Sequence, residues 1–415
     1  MKQENLLKEI RNKFCYVDSC PFSGKRIFFE NAGGSLTLKS VAQRSGELAA
    51  IPDNQGRDNK GSQGIMDLIR QSKTDAMEFF NSDKGTILIG ESGTELLFRL
   101  IRTAILGSKK GTVVGSTLEH PASRSASTKW SEYASKHLTL VPHCSASGSI
   151  NIAQYLDSIT ADVSLATIVH TSPVTGISID LKELTQGIKK INPDCLIIVD
   201  GIQHAPHGDI NLSDSLVDGY VISPYKVFSR HGYGLAWISD RLRDLAHETL
   251  LNGPEGNWEL GTRDVGSYAT FSDVVNYFDW LGSKVSDSLT RYGRLTHASK
   301  FIKYQEKKLV STMLYGKDNV KGLAHYPKIK IIGGLENKLR EGLVSFSLPQ
   351  IPSEILVNEL NLRGVRTHIR KSDHYSSNIL EPLDLESCVR VSMCHYNSEE
   401  EVIHFLTSIN EITDK

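Results

Sequence analysis

The sequence predicts an α/β protein, with a large domain built on a mainly parallel sheet covered by helices and a smaller α+β domain toward the C-terminus. Three observations predict it. Short apolar runs alternate with stretches of helical period through the first two thirds of the chain. Polar residues, Asp200 and Ser223 among them, follow directly on two of those runs, where ligands of such sheets bind. The pattern then changes style beyond residue 285. The expected organisation is an N-terminal segment (1–30), a large domain (31–285) and a small domain (286–415).

The elements follow in order. Residues 53–64 are polar and Gly-rich and read as an exposed loop. Residues 86–90 (TILIG) read as a strand, and 94–106 carry apolar residues at helical spacing. A strand at 112–114, a helix over 123–136 and a strand at 138–141 come next. Strands at 165–169 and 196–199 flank a helix over 181–190. The run 217–222 is a further short strand, and 234–239 another, in an antiparallel position. Residues 276–309 read as mostly helical, linking the two domains. Beyond them lie strands at 328–332 and 343–348 and helices over 353–362 and 398–410.

Composition narrows the function classes. Of 415 residues, 39% are hydrophobic and 23% charged, which suits a globular protein with a sizeable core. The net charge of -1 offers no electrostatic case for nucleic acid or an anionic membrane. No apolar run approaches the roughly 20 residues of a membrane span. The first residues do not look like a signal peptide, so a cytoplasmic location is the default expectation. The six cysteines form no CxxC pair and no zinc-finger spacing, so free thiols and no metal site are expected. Cys195 falls inside an apolar strand and is expected in the core.

The chemistry-bearing constellation centres on Lys226, in Ser223-Pro224-Tyr225-Lys226. Asp200 ends one apolar strand, and Lys226 lies just beyond the next. A lysine and an acid so placed suit pyridoxal 5'-phosphate (PLP): the amine joins the aldehyde as a Schiff base, and the carboxylate keeps a proton on the pyridine nitrogen. The lysine must be neutral part of the time to attack, which calls for a desolvated or electropositive pocket. Read singly, each residue equally fits a surface lysine and a strand-end aspartate; the combination favours the cofactor site.

With these motifs in order along the chain, the sequence resembles the class V aminotransferase family of fold-type I PLP-dependent transferases. Within it, the chain is similar to the cysteine desulfurase and selenocysteine lyase group, and more distantly to isopenicillin N epimerases. The resemblance runs from Phe28 to Phe405. It implies PLP as cofactor, a small-molecule amino-acid substrate and a homodimer. Lys226 then matches the Schiff-base lysine, Asp200 the partner of the ring nitrogen, and Gln203 the contact to the phenolic oxygen. His120 matches the histidine stacked on the ring, which can also move protons. Gly93 and Thr94 open a helix whose N–H groups suit a phosphate, beside Ser223 and Tyr225; the family often has histidine at the latter position. Gly261 and Thr262 match a pair that reaches the phosphate from the other subunit. Arg390 matches the arginine that binds the substrate carboxylate, Arg366 a second active-site arginine, and Asn31 part of the substrate entrance.

Two departures stand out. Desulfurases place a persulfide-forming cysteine shortly after the Arg-Thr pair, but residues 366–375 contain none. Cys388 and Cys394 read as packing residues. Pro173 stands where many relatives carry an asparagine that bonds cofactor and substrate, and proline offers neither side-chain donor nor N–H. The segment bearing Arg370, Lys371 and His374 either meets an anionic substrate group or is a solvated loop, the second being preferred. The expected function is therefore a PLP enzyme acting on an α-amino acid or a conjugate of one by C–S or other β-elimination, without persulfide formation. An aminotransferase or epimerase on the same scaffold, and a non-catalytic binding protein of this fold, are the alternatives.

Overall fold

The computed structural model describes residues 2–109, 111–254 and 256–413. A seven-stranded sheet forms the centre of the large domain. Its strands in chain order are β1 (Thr86–Gly90), β2 (Thr112–Ser116), β3 (His137–Val141), β4 (Val163–Val169), β5 (Leu196–Asp200), β6 (Gly219–Ile222) and β7 (Gly234–Ile238). Their spatial order is β1-β7-β6-β5-β4-β2-β3. Strands β2 to β6 pair in parallel, and β7 runs antiparallel to both β1 and β6. β4 and β5 are buried along their whole length, as strands covered on both faces must be.

Helix α1 (Gly93–Gly107) shows why these segments fold as they do. Ser92 caps it, accepting from the Glu95 N–H at 3.1 Å. Leu96, Leu97, Leu100, Ile101 and Ala104 then form one buried stripe against the sheet. Helices α2 (Pro121–Tyr133) and α3 (Leu181–Ile191) follow β2 and β4. Gly234 lets β7 run against the start of α1: a Cβ there would lie 2.5 Å from the Gly93 nitrogen.

Several boundaries differ from the sequence expectation. The stretch expected as one helix over 276–309 is two, α4 (Val265–Val285) and α5 (Arg291–Tyr315). They are separated by Ser286–Thr290, where the Thr290 hydroxyl caps α5 by accepting from Gly293 N. The loop expected to run to residue 64 ends sooner, because Asn59 caps a helix over Lys60–Phe79 by accepting from Ser62 N at 2.8 Å. Ile65, Ile69, Ala76 and Phe79 bury that helix despite its polar, Gly-containing start.

The smaller sheet comprises β8 (Lys330–Ile331), β9 (Leu343–Ser347), β10 (His368–Lys371) and β11 (Ser387–Ser392), in the antiparallel order β8-β9-β11-β10. Phe346, Val389, Val391, Phe405 and Leu406 centre its core. The N-terminal segment serves both bodies. Phe14 belongs to the large core and Phe29 to the small one, and Ile27–Phe28 pairs in parallel with Val365–Arg366. Helix α5 is shared as well: Leu295, Ala298 and Ile302 pack in the large core, Leu309, Val310 and Met313 in the small one.

Candidate active site

A cleft of about 390 Å³ opens beyond the carboxyl ends of β4, β5 and β6. Thr94, His120, Asp200, Gln203, Ser223, Tyr225 and Lys226 line it. Seven sequence-predicted residues thus come together. Thr171, Pro173 and the apolar side chains of Val169 and Ile202 complete the wall.

Lys226 ends a tight turn, its N–H donating to Ser223 O at 2.9 Å. Two residues on, Phe228 holds φ at 64°, a left-handed conformation that is costly for a bulky side chain. Its ring sits among Phe14, Tyr277, Phe278 and His395, and its N–H donates to Ser35 Oγ at 2.9 Å. That packing fixes the turn that presents the lysine. Lys226 Nζ donates to Gln203 Oε1 at 3.3 Å. Burial, reinforced by the positive field of Arg390, lowers the amine to about 7 against the pull of Asp200. Near neutrality it is therefore available both free and protonated.

Asp200 closes β5 between Val169 and Val221 and is 5% exposed. Burial raises its carboxyl to about 6, opposed by the Ile202 N–H, which donates to Oδ1 at 3.0 Å, and by Lys226. A protonated pyridine nitrogen would supply the positive partner that holds it ionised. His120 is at once the cap of α2 and a wall of the cleft: its Nδ1 accepts from Ala122 N at 3.2 Å, so it carries no proton there. Burial, with the charges of Lys226 and Arg370, depresses it to about 4.

Behind the cleft lies a buried polar chain. Gln203 accepts from Lys226, so its amide nitrogen faces His207 Nε2, at 3.2 Å. The other ring nitrogen of His207 lies 2.9 Å from both carboxylate oxygens of Glu306. Sequence reading missed this pair, because His207 and Glu306 are brought together only by the docking of α5.

The residues fit a phosphorylated pyridine. The first N–H groups of α1 have no acceptor within the helix, and Ser92 satisfies only that of Glu95. A Cβ on Gly93 would collide with Ser223 Oγ and lie 2.7 Å from Ile202 Cδ1, so glycine keeps this anion cradle open. Tyr225 borders the cleft with its ring stacked on His231, centroids 4.3 Å apart.

The predicted substrate residues part company. Arg390 is 2% exposed; its Nη1 donates to the Pro173 carbonyl at 3.0 Å, while Nε is buried with no acceptor among the described residues. Pro173, lacking asparagine's side chain, thus orients the arginine through its backbone. Arg366 does not reach the cleft wall: it is half-exposed and paired with Glu30, Nε to Oε2 2.8 Å. Asn31 is spent on a latch, donating to Ser392 O at 2.8 Å and accepting from the Tyr396 hydroxyl. Gly261 and Thr262 are exposed and lie outside the cleft of their own chain. Arg370 corrects the expectation of a solvated loop, for it lies on β10 and is partly buried.

None of the six cysteines lines the cleft. Cys195, Cys388 and Cys394 are buried, as packing roles require. Burial pushes the Cys388 thiol up to about 12, which rules it out as a thiolate at neutral pH.

This fold and cleft define a class, and comparison with known proteins agrees. The profile of the family described as Aminotransferase class-V matches residues 27–405. The chain belongs to that family and is a PLP-dependent enzyme of fold type I. Among relatives, it is 25% identical to the cysteine desulfurase-like protein ustD of Aspergillus flavus, over 94% of this chain and 88% of that one. It is 24% identical to a probable cysteine desulfurase of Mycoplasma genitalium, over 91% and 90%. The solved cysteine desulfurase of Thermococcus onnurineus superposes with a TM-score of 0.81 at 20% identity, covering 98% of both chains.

Proposed function

We propose that the protein acts on an α-amino acid or amino-acid conjugate, removes its α-proton and expels a β-substituent by C–S or other β-elimination, without persulfide formation. The observation that carries this is Lys226: a buried amine lowered to about 7, facing Asp200 and His120 in a cleft without a cysteine.

When bound, PLP supplies a covalent anchor for the substrate's amino group and an electron sink for its α-carbon. Gly93, Thr94, Ser223 and Tyr225 would hold its phosphate, Asp200 its ring nitrogen, Gln203 its phenolic oxygen and His120 its ring face. Arg390, oriented by Pro173, would take the α-carboxylate through its unsatisfied donors. Lys226 takes the α-proton, since an amine with a pKa near 7 is both an adequate base and an adequate acid there. His120 is neutral above about pH 4, and with Nδ1 accepting from Ala122 its proton sits on Nε2, so at neutral pH its remaining ring nitrogen is a hydrogen-bond donor. The thiol-free wall supports release of the β-substituent to solvent, because sulfur has no thiolate to move to. Gly261 and Thr262, exposed and outside their own chain's cleft, would serve a second copy in a homodimer, and the cytoplasm is the compartment that the free thiols favour.

The test is α-proton exchange in deuterium oxide across a panel of amino acids, with product analysis. Exchange with loss of the β-substituent is expected, and Lys226→Ala should slow it by about 10²–10⁴-fold. A variant that exchanges at the wild-type rate contradicts the role of Lys226. Amino transfer or racemisation without loss of the β-substituent contradicts the elimination.

A further inference from the structure

Arg370 and Arg390 share one face of the small sheet, and Arg390 meets the cleft wall at Pro173. Antiparallel pairing sets His368 opposite Arg390 and Arg370 opposite Cys388, and directly opposed residues share a face. Arg370 then reaches toward the cleft through Tyr375: its guanidinium carbon lies 5.9 Å from that ring's centroid, and the ring lies 6.0 Å from that of His120. The segment beyond β10 is anchored there by Asn378, which donates to Thr117 O at 2.7 Å.

Arg370 is unlike the structural arginines of this chain. Buried Arg340 spends both Nη groups on four backbone carbonyls, those of Thr175, Ile332, Gly334 and Leu343, and only its Nε is left without an acceptor among the described residues. Arg366 is neutralised by Glu30, which also holds His368. Among the described residues Arg370 donates only to the Ser376 hydroxyl, through Nε and Nη2. Among the described residues neither Arg370 nor Arg390 has a carboxylate ion-pair partner; Asp373 and Glu30 exert a field on them from farther off. The positive charge of Arg370 is felt at His120, Lys226 and Arg390. One α-carboxylate matches one guanidinium and leaves the second for another anion.

We propose that Arg370 is a specificity-determining residue and that the substrate is an α-amino acid whose side chain carries a second anionic group, a carboxylate. This deepens the reading above and rests on it. Arg390 holds the α-carboxylate, and Arg370 selects the charged side chain.

The experiment is a binding titration of the full-length, PLP-loaded protein, followed by calorimetry and by the visible band of the cofactor. The probes are α-methyl-L-aspartate and α-methyl-L-asparagine, which have no α-proton to lose, then L-glutamate and L-cysteine sulfinate for length and anion type. The acidic ligand should bind at least about tenfold more tightly than the amide, as a charge-assisted pair worth about 1.5–3 kcal/mol implies. Arg370→Gln should erase that preference and leave amide binding within about twofold, while Arg370→Lys retains part of it. Equal affinity for acid and amide in the wild type overturns the proposal, whether or not the variants fold. So does a preference that survives in Arg370→Gln. If neutral amino acids bind and the acidic ones gain nothing, the inference fails and the function stands; if no amino acid binds at all, both fail.

Discussion

At the scale of single residues, the site works by moving charges out of their ordinary ranges. Lys226 is the clearest case, because burial outweighs the attraction of Asp200. Its neutral fraction rises as pH rises through about 7, rather than through the usual lysine range. Capture of PLP by the cofactor-free protein needs the neutral amine, so its rate should climb between about pH 6 and 8 and then level off. Stopped-flow absorbance over that range checks this; a rate still climbing toward pH 10 would show an ordinary lysine. Residues at strand ends were legible in the sequence, since Asp200, Gln203, Ser223, Tyr225 and Lys226 lie within 27 positions and their place follows from local pattern. Residues whose partners are remote were not. Arg366 meets Glu30 across 336 positions, and Asn31 meets Ser392 across 361, pairings that no local pattern foretells.

At the scale of elements, the cradle at the start of α1 is the feature most open to test. Gly93 has no left-handed backbone to protect, and alanine is the better helix former. Any harm from Gly93→Ala must therefore come from the space its methyl would take beside Ser223 and Ile202. PLP affinity should fall by at least about tenfold, roughly 1.4 kcal/mol, with the thermal midpoint held near that of the wild type. Unchanged affinity would place the phosphate elsewhere. The βα alternation was readable because each strand is a short apolar run with polar residues at its ends. The break between α4 and α5 was not, because it rests on the Thr290 cap rather than on any lapse in helical period. The helix over Lys60–Phe79 was missed for the opposite reason: tertiary burial of Ile65, Ile69 and Phe79 overrides a polar, Gly-containing start.

At the scale of the whole molecule, two cores are joined by α5 and by the N-terminal segment, and the small sheet meets the wall of a cleft that the large domain lines. Arg390 crosses from the small sheet to Pro173, and Arg370 approaches His120 from the same side. The large domain supplies the residues suited to the cofactor, and on the proposal above the small domain would supply the side chains that choose the substrate. The proposed dimer would bring the exposed Gly261 and Thr262 of a second copy to this site. Sedimentation should show a dimer, and Thr262→Ala should weaken PLP binding without dissociating it; a monomer with full PLP affinity would remove that pair from the site.

Everything proposed for this site turns on Lys226 engaging the cofactor. Borohydride reduction of the PLP-loaded protein, followed by peptide mapping, tests it most directly. A single phosphopyridoxyl group is expected on Lys226, absent from Lys226→Ala. Label on another lysine, or an unlabelled Lys226 in protein that retains its visible band, would contradict it.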